Sequence, residues 1–307
     1  MKLLVINNLS SGFGKSAVYD FMRMFSEAGD EVVVRSIDSS MDFASALTGA
    51  EFFDAVAVAG GDGTHSSVCY LLRDTGIPIL PLPVGTANLI AMNLCTPEEP
   101  YELAQLARNG KRLRFDMGQL EFADATSGFM MIAGCGYDAK IMSDAKGSKQ
   151  LLGPVSYFKA AFDNPNPQRA HFTIDIDGET VEADGVCVLV LNFSKMQFDI
   201  TLGPGNWPRD GLLDLLILEA ENAWGLLPVA LSAALDHTGG MLLNIDTIKH
   251  FRGKAIRVDA DPALFVQYDG EPTTRTTPFT ARVLPHAANL VISDYGYEEF
   301  GNQQMGS

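Results

Sequence analysis

AVAVAGGDGT, residues 55–64, is a short run of small apolar residues that breaks into Gly60-Gly61-Asp62-Gly63-Thr64. A strand-length run of Ala and Val with no polar alternation fits a β-strand buried on both faces, as in a parallel sheet. The glycines allow a sharp turn and close approach of the main chain to a ligand, and Thr64 is a helix-capping residue type. Such a strand–turn–helix junction lies at the carboxyl edge of an open α/β sheet, where the free N–H groups of a helix's first turn favour an anion. Asp62 would repel a bare phosphate, so the pattern makes chemical sense with Mg²⁺ between the carboxylate and the phosphate. As a plain turn, the same residues would need Asp62 only to cap the helix.

The surrounding sequence repeats the theme. Apolar runs at Lys2–Ile6, Glu31–Arg35 and Ile77–Leu82 predict further strands, and Ser16–Ala28 carries Val18, Phe21, Met22 and Phe25 at helical spacing. Ser66–Arg73 and the segment from Gly85-Thr86 through Leu94 also predict helices. Strands alternating with helices imply a doubly wound, Rossmann-like α/β unit. Two more turns follow predicted strands. Pro83-Val84-Gly85-Thr86-Ala87-Asn88 repeats the glycine junction one unit later, with Thr86 and Asn88 able to hydrogen-bond a ligand there or simply cap the helix. Asn7-Asn8-Leu9-Ser10-Ser11-Gly12 leads into Phe13-Gly14-Lys15-Ser16, which ends like a P-loop but has Leu9 where the first glycine belongs. GFGKSA at 12–17 also fits a relaxed dinucleotide fingerprint with Asp38 downstream, although five residues separate the strand from Gly12.

Near residue 117 the chain changes character. His171–Asp177 alternates, turns at Asp177-Gly178 and returns through Glu179–Asp184, a hairpin signature. Val186–Phe193, Leu212–Glu219, Ala255–Ala260, Leu264–Tyr268, Phe279–Leu284 and Leu290–Ser293 continue as short strands, and Ala223–Leu235 is the one clear helix. Closely spaced strands predict a sandwich or barrel-like all-β domain.

Composition bounds the function. The 307 residues are 47% hydrophobic and 20% charged, which excludes an intrinsically disordered chain. The formal charge of −16 repels a phosphate backbone at long range, so nucleic acid is not an expected partner; a nucleotide held locally by amides and a cation is compatible with it. Cys69, Cys95, Cys135 and Cys187 have no zinc or redox spacing and read as reduced cysteines. No signal peptide is expected, and the apolar stretches are too short to span a bilayer, so the expectation is a soluble, cytoplasmic protein.

GGDGT at 60–64 and PVGTAN at 83–88 together resemble the diacylglycerol/sphingosine-type lipid kinases, close to the bacterial members. The similarity extends in order through NNLSSG (7–12), FDMG (115–118), GCGYD (134–138), RDGLLD (209–214) and Asp269-Gly270-Glu271, covering nearly the whole chain. The resemblance implies a nucleotide domain of residues 1–116 plus 288–307 and a larger β-sandwich lipid domain of 117–287. It implies ATP and Mg²⁺ as cofactors, with Asn7, Ser11, Gly12, Gly60, Gly61, Asp62, Gly63, Thr64, Gly85, Thr86 and Asn88 around the nucleotide. It further implies a structural Mg²⁺ on Asp210 with the carbonyls of Trp207 and Leu212, and a proton-accepting Glu271 acting with Asp62 in catalysis. Taken alone, Asp210-Gly211 and Asp269-Gly270 are ordinary turn dipeptides.

The sequence departs from the family where Leu89 follows Asn88, and where His65-Ser66-Ser67 follows Thr64 without the usual acid; His65 is expected on a helix surface. The acceptor would be a lipid alcohol, diacylglycerol first. NAD kinase shares GGDGT and the two-domain plan, but PVGTANLIAMNL does not look like its later motifs. An NAD-linked enzyme, or a lipid- or nucleotide-binding protein without activity, are the other readings. A lipid substrate calls for a transient membrane partner, and the expected location is the inner membrane face. Lys140, Lys146, Lys149, Lys159 and Arg169, with Arg108, Lys111, Arg112 and Arg114, would face anionic headgroups or form an ordinary solvated surface. A homodimer is the remaining partner to consider.

Overall fold

The computed structural model describes residues 1–11, 15–26, 29–38, 42–136, 168–196, 201–202, 204–219 and 247–303. Gly12, the helix expected at 223–235 and all of the 139–169 basic segment except its last two residues lie outside that set. Two compact units are present, Met1–Asp116 with His286–Met305, and Met117–Pro285.

The first unit opens with strand β1 (Lys2–Asn8), helix α1 (Lys15–Phe25), β2 (Glu31–Ile37) and the short α2 (Phe43–Ala46). It continues through β3 (Ala55–Gly60), α3 (Asp62–Leu71), β4 (Ile79–Pro83), α4 (Leu89–Asn93) and α5 (Pro100–Asn109). The strands lie in the order β2-β1-β3-β4, and all are parallel. Buried side chains on successive residues explain the lack of alternation: Leu3 and Val5 meet Phe21 and Phe25 of α1 and Leu103 and Leu106 of α5, while Leu4, Ile6, Val56 and Val58 are equally buried. α3 packs against β3. This is the doubly wound arrangement, with a sheet buried on both faces.

The register matters most for function. Asn7 of β1 stands opposite Ala59, and Gly60 of β3 opposite Pro83 of β4. The three turns that follow β1, β3 and β4 therefore leave the sheet at one level, along its carboxyl edge.

The chain leaves the first unit within β5 (Lys111–Glu121). The second unit then runs through β6 (Thr126–Phe129), β7 (Ile132–Gly136), β8 (Ala170–Ile176), β9 (Glu179–Gly185), β10 (Cys187–Leu191) and β11 (Leu213–Leu218). β12 (Ile248–Gly253), β13 (Ala255–Asp261), β14 (Phe265–Tyr268) and β15 (Glu271–Thr276) follow, and β16 (Phe279–Ile292) returns to the first unit, where α6 (Asp294–Phe300) ends it.

In the second unit, β13 lies between β16 and β8, and β8 pairs with β9 across the expected Asp177-Gly178 turn, whose residues have φ of 53° and 96°. The other sheet has the order β12-β11-β10-β7-β14-β15. Phe172, Ile174, Ile256 and Val258 from one sheet share a core with Val188, Val190, Leu215, Ile217 and Val266 from the other, so the unit is a β-sandwich.

Several boundaries differ from expectation. β16 is one strand where the sequence predicts two, because Pro285, His286 and Asn289 interrupt its apolar pattern. His286 adopts φ 54°, and its N–H donates to the buried Asp116 carboxylate at 2.7 Å, which holds the strand together through the interruption. Helix α3 begins at Asp62, four residues earlier than predicted, so the acid and Thr64 belong to its first turn.

Candidate active site

At the end of β1, the Asn8 amide bridges two segments. Its Nδ2 donates to Thr64 Oγ1 at 2.8 Å, and its Oδ1 accepts the Ser10 N–H at 3.0 Å. Ser11 Oγ accepts the Gly61 N–H at 3.2 Å. The first turn is thereby fastened to the second by two side chains, one of which, Asn8, was not among the predicted site residues. Its position at a strand end, two residues before a turn amide, is the signal that marks it. Asn7 itself is buried within β1.

In the second turn, Gly61 is the N-cap of α3, with no side chain capping it. Thr64 therefore does not cap the helix as expected: it sits in the first turn, buried, receiving the hydrogen bond from Asn8. The amides of Asp62 and Gly63 are first-turn donors with no intrahelical acceptor, which makes this the positive end of a ten-residue helix. Asp62 Oδ1 accepts the Ile90 N–H at 2.9 Å and so ties α3 to α4. Its other oxygen has no protein partner among the described residues and could serve as one oxygen ligand to Mg²⁺, the rest of whose shell would have to come from phosphate oxygens and water.

The third turn is closed from within. Asn88, at φ 53°, accepts the Gly85 N–H on Oδ1 at 2.7 Å and donates from Nδ2 to the Pro83 carbonyl at 3.2 Å. Asn88 thus shapes the turn rather than presenting a free amide, and α4 starts only at Leu89, later than the sequence predicts. Thr86 is exposed. A Cβ on Gly85 would lie 2.7 Å from the Gly61 Cα and 3.0 Å from the Gly60 carbonyl oxygen, so the second and third turns touch main chain to main chain. Gly85→Ala must push them apart at a cost of about 1–3 kcal/mol. We expect nucleotide affinity to fall about tenfold to a hundredfold, measured by calorimetric titration, with the far-UV spectrum unchanged.

His65 is buried, not on a helix surface: its Nε2 lies 3.1 Å from the Val58 carbonyl of β3. It faces inward because α3 starts early and turns this position toward the sheet. Burial holds its pKa below the ordinary histidine range, against the raising effect of the Asp62 charge. A histidine buried neutral binds fewer protons folded than unfolded, so its contribution is lost as pH falls below the unfolded value of about 6.5. His65→Gln should therefore lose less thermal stability than the parent between pH 7 and pH 5; an identical pH profile would contradict this.

In the second unit, Tyr268 pairs with Glu271 across Asp269 and Gly270, whose φ of 47° and 78° define a type I′ hairpin turn. The Asp269 carboxylate accepts three main-chain N–H groups, from Met130 at 2.8 Å, Met131 at 2.9 Å and Ile132 at 3.0 Å. This is more than a turn dipeptide does, and it anchors the turn that presents the exposed Glu271.

Asp210 lies elsewhere in that unit, in the turn before β11. Its Oδ1 accepts the Leu212 N–H at 3.0 Å and its Oδ2 is held by the Arg252 guanidinium. Arg252 also donates from Nε to Asp214 at 3.0 Å and stacks 5.1 Å from the Trp207 ring, while His250 Nε2 lies 2.7 Å from Asp214. Burial works against the Arg252 charge, but its contacts with Asp210 and Asp214 outweigh this and hold its pKa raised. Both Asp210 oxygens are taken, one by a cation, so these residues do not fit a divalent ion as arranged.

The other basic cluster is partly neutralised internally. Arg108 pairs with Asp30 at 2.8 Å and lies over the Phe25 ring, and Lys111 pairs with Asp294 at 3.1 Å. Among the described residues no helix is long and apolar enough to cross a membrane.

The first unit is a nucleotide-type α/β unit with interlocked glycine turns, and the second is a β-sandwich. Family comparison is more specific. Residues 2–120 match the diacylglycerol kinase catalytic domain, and residues 131–292 match the YegS C-terminal NAD kinase beta sandwich-like domain. The chain belongs to the diacylglycerol kinase-like lipid kinase family.

Among its relatives, the diacylglycerol kinase of Bacillus subtilis is 26% identical over 276 residues, 87% of this chain and 88% of that protein. An uncharacterised Synechocystis protein is 27% identical over 240 residues, and the match spans 76% of this chain but only 54% of the longer relative. The crystal structure of a diacylglycerol kinase from Bacillus anthracis shares the fold, with a TM-score of 0.73 at 20% identity over 96% of this chain and 97% of that one.

Proposed function

We propose that the protein transfers the γ-phosphoryl group of ATP to the hydroxyl of a lipid alcohol, with diacylglycerol as the first candidate. The observation that carries this is the interlock of three turns on one sheet edge: Asn8 on Thr64, Ser11 on Gly61, and Gly85 against Gly61. That interlock fixes the first-turn amides of α3 in advance, so no ordering is needed when the phosphates arrive. Phosphoryl transfer asks the protein chiefly for alignment and charge neutralisation. Mg²⁺, when bound, supplies positive charge that offsets the charge developing on the transferred group.

The free oxygen of Asp62 would hold that ion while its other oxygen keeps α4 in place. Glu271, presented by the anchored hairpin turn, would take the proton from the lipid hydroxyl. As that oxygen bonds to the γ-phosphorus, the bond to the β-phosphate oxygen breaks and ADP leaves. A lipid acceptor requires a transient approach to a membrane surface from the cytoplasmic side, for which the basic residues at 140–169 are the candidates.

The experiment is direct. The purified chain is incubated with Mg²⁺, γ-labelled ATP and vesicles carrying diacylglycerol, monoacylglycerol, a sphingoid base, ceramide or a polyprenol. Label in phosphatidic acid is the expected result, and label in no lipid would contradict the proposal.

A further inference from the structure

Asp214 of β11 stands directly opposite Arg252 of β12, with Leu216 opposite His250. Positions 214, 250 and 252 therefore share one face of the antiparallel pair, and Asp210 approaches the same face from the preceding turn. The carboxylates of Asp210 and Asp214 are both buried. Two carboxylates this close and this dry need a cation, since each is costly to bury uncompensated. One guanidinium serves both: Nη2 of Arg252 on Asp210, and Nε on Asp214 at 3.0 Å. Trp207 covers its flat face and the Leu212 N–H satisfies the remaining Asp210 oxygen.

We infer that Arg252 is the resident cation of this turn, standing where a divalent ion would otherwise be held by Asp210, so that residues 207–212 are closed onto β11 and β12 without metal. A guanidinium matches paired carboxylates through its planar fork, which a hydrated point charge does not. Mg²⁺ demands near-octahedral oxygen ligation at about 2.0–2.1 Å and would have to expel Arg252 from Asp210 to obtain it. Among the described residues, no group of three His, Cys, Asp or Glu side chains is placed so that it could hold a metal ion.

The test is thermal unfolding of the full chain without nucleotide or lipid, in millimolar Mg²⁺ and in chelator, so its outcome is independent of the kinase reading. The parent is expected to melt at the same temperature in both. Arg252→Gln leaves the two carboxylates without a cation and should melt about 5–10 °C lower in chelator, recovering part of the loss with Mg²⁺. Arg252→Lys, which keeps the charge but loses the fork, should fold, melt between the two and stay indifferent to Mg²⁺. The inference is overturned if chelator lowers the parent's midpoint and Asp210→Asn abolishes that response, or if Arg252→Gln melts like the parent.

Discussion

Glu271→Gln is expected to fold, bind ATP with unchanged affinity and phosphorylate lipid about 10²–10⁴-fold more slowly, the usual contribution of a general base. Gln is nearly the same size as Glu and still hydrogen-bonds, so the hairpin that carries it is undisturbed. What disappears is the ability to accept a proton. Glu271 opens β15 on an exposed position directly after the turn, and its main chain pairs with Tyr268, so the buried core does not include its side chain. The measurement is the rate of lipid phosphorylation at saturating ATP and lipid. A loss confined to the Michaelis constant, or no loss, would remove Glu271 from the chemistry.

Asp269→Ala is expected to cost about 3–5 kcal/mol of stability. The Asp269 carboxylate is the acceptor for the Met130, Met131 and Ile132 amides, in a segment whose side chains are all buried. Removing a charged acceptor leaves donors out of reach of their partner, at about 1–3 kcal/mol each before water or local relaxation offsets part of it. Alanine is also poorly suited to φ 47°, which Asp tolerates. Denaturant titration of parent and variant gives the difference. Because the same turn presents Glu271, the turnover number should fall as well at temperatures where the variant is still folded. A variant as stable as the parent would show that the three hydrogen bonds are replaceable.

The architecture was legible where burial is uniform or strictly alternating. Lys2–Ile6 and Ala55–Ala59 carry no polar residue inside them because both faces of β1 and β3 are covered, and His171–Asp177 alternates because β8 has one face in the sandwich core. Segments with neither pattern were missed. β12, Ile248-Lys249-His250-Phe251-Arg252-Gly253, is polar because two of its side chains serve buried carboxylates, and β5 begins with exposed basic residues that mask it.

The glycine turns were visible as composition, but the bonds that interlock them are not local. Asn8 reaches Thr64 and Ser11 reaches Gly61 across 56 and 50 residues of chain. His65 was misplaced for a related reason: its orientation depends on where α3 starts, and a Gly-Gly-Asp-Gly run gives no side-chain cap to mark that residue. Arg252 lies 42 residues from Asp210, so nothing near Asp210 in the sequence announces the cation that meets it.

The most direct measurement is a crystal structure of the chain with Mg²⁺ and a non-hydrolysable ATP analogue. The account predicts the β- and γ-phosphates against the amides of Asp62 and Gly63, the metal on the Asp62 carboxylate, and the 83–88 turn in contact with the nucleotide. Phosphates bound away from that sheet edge, with those amides untouched, would contradict it.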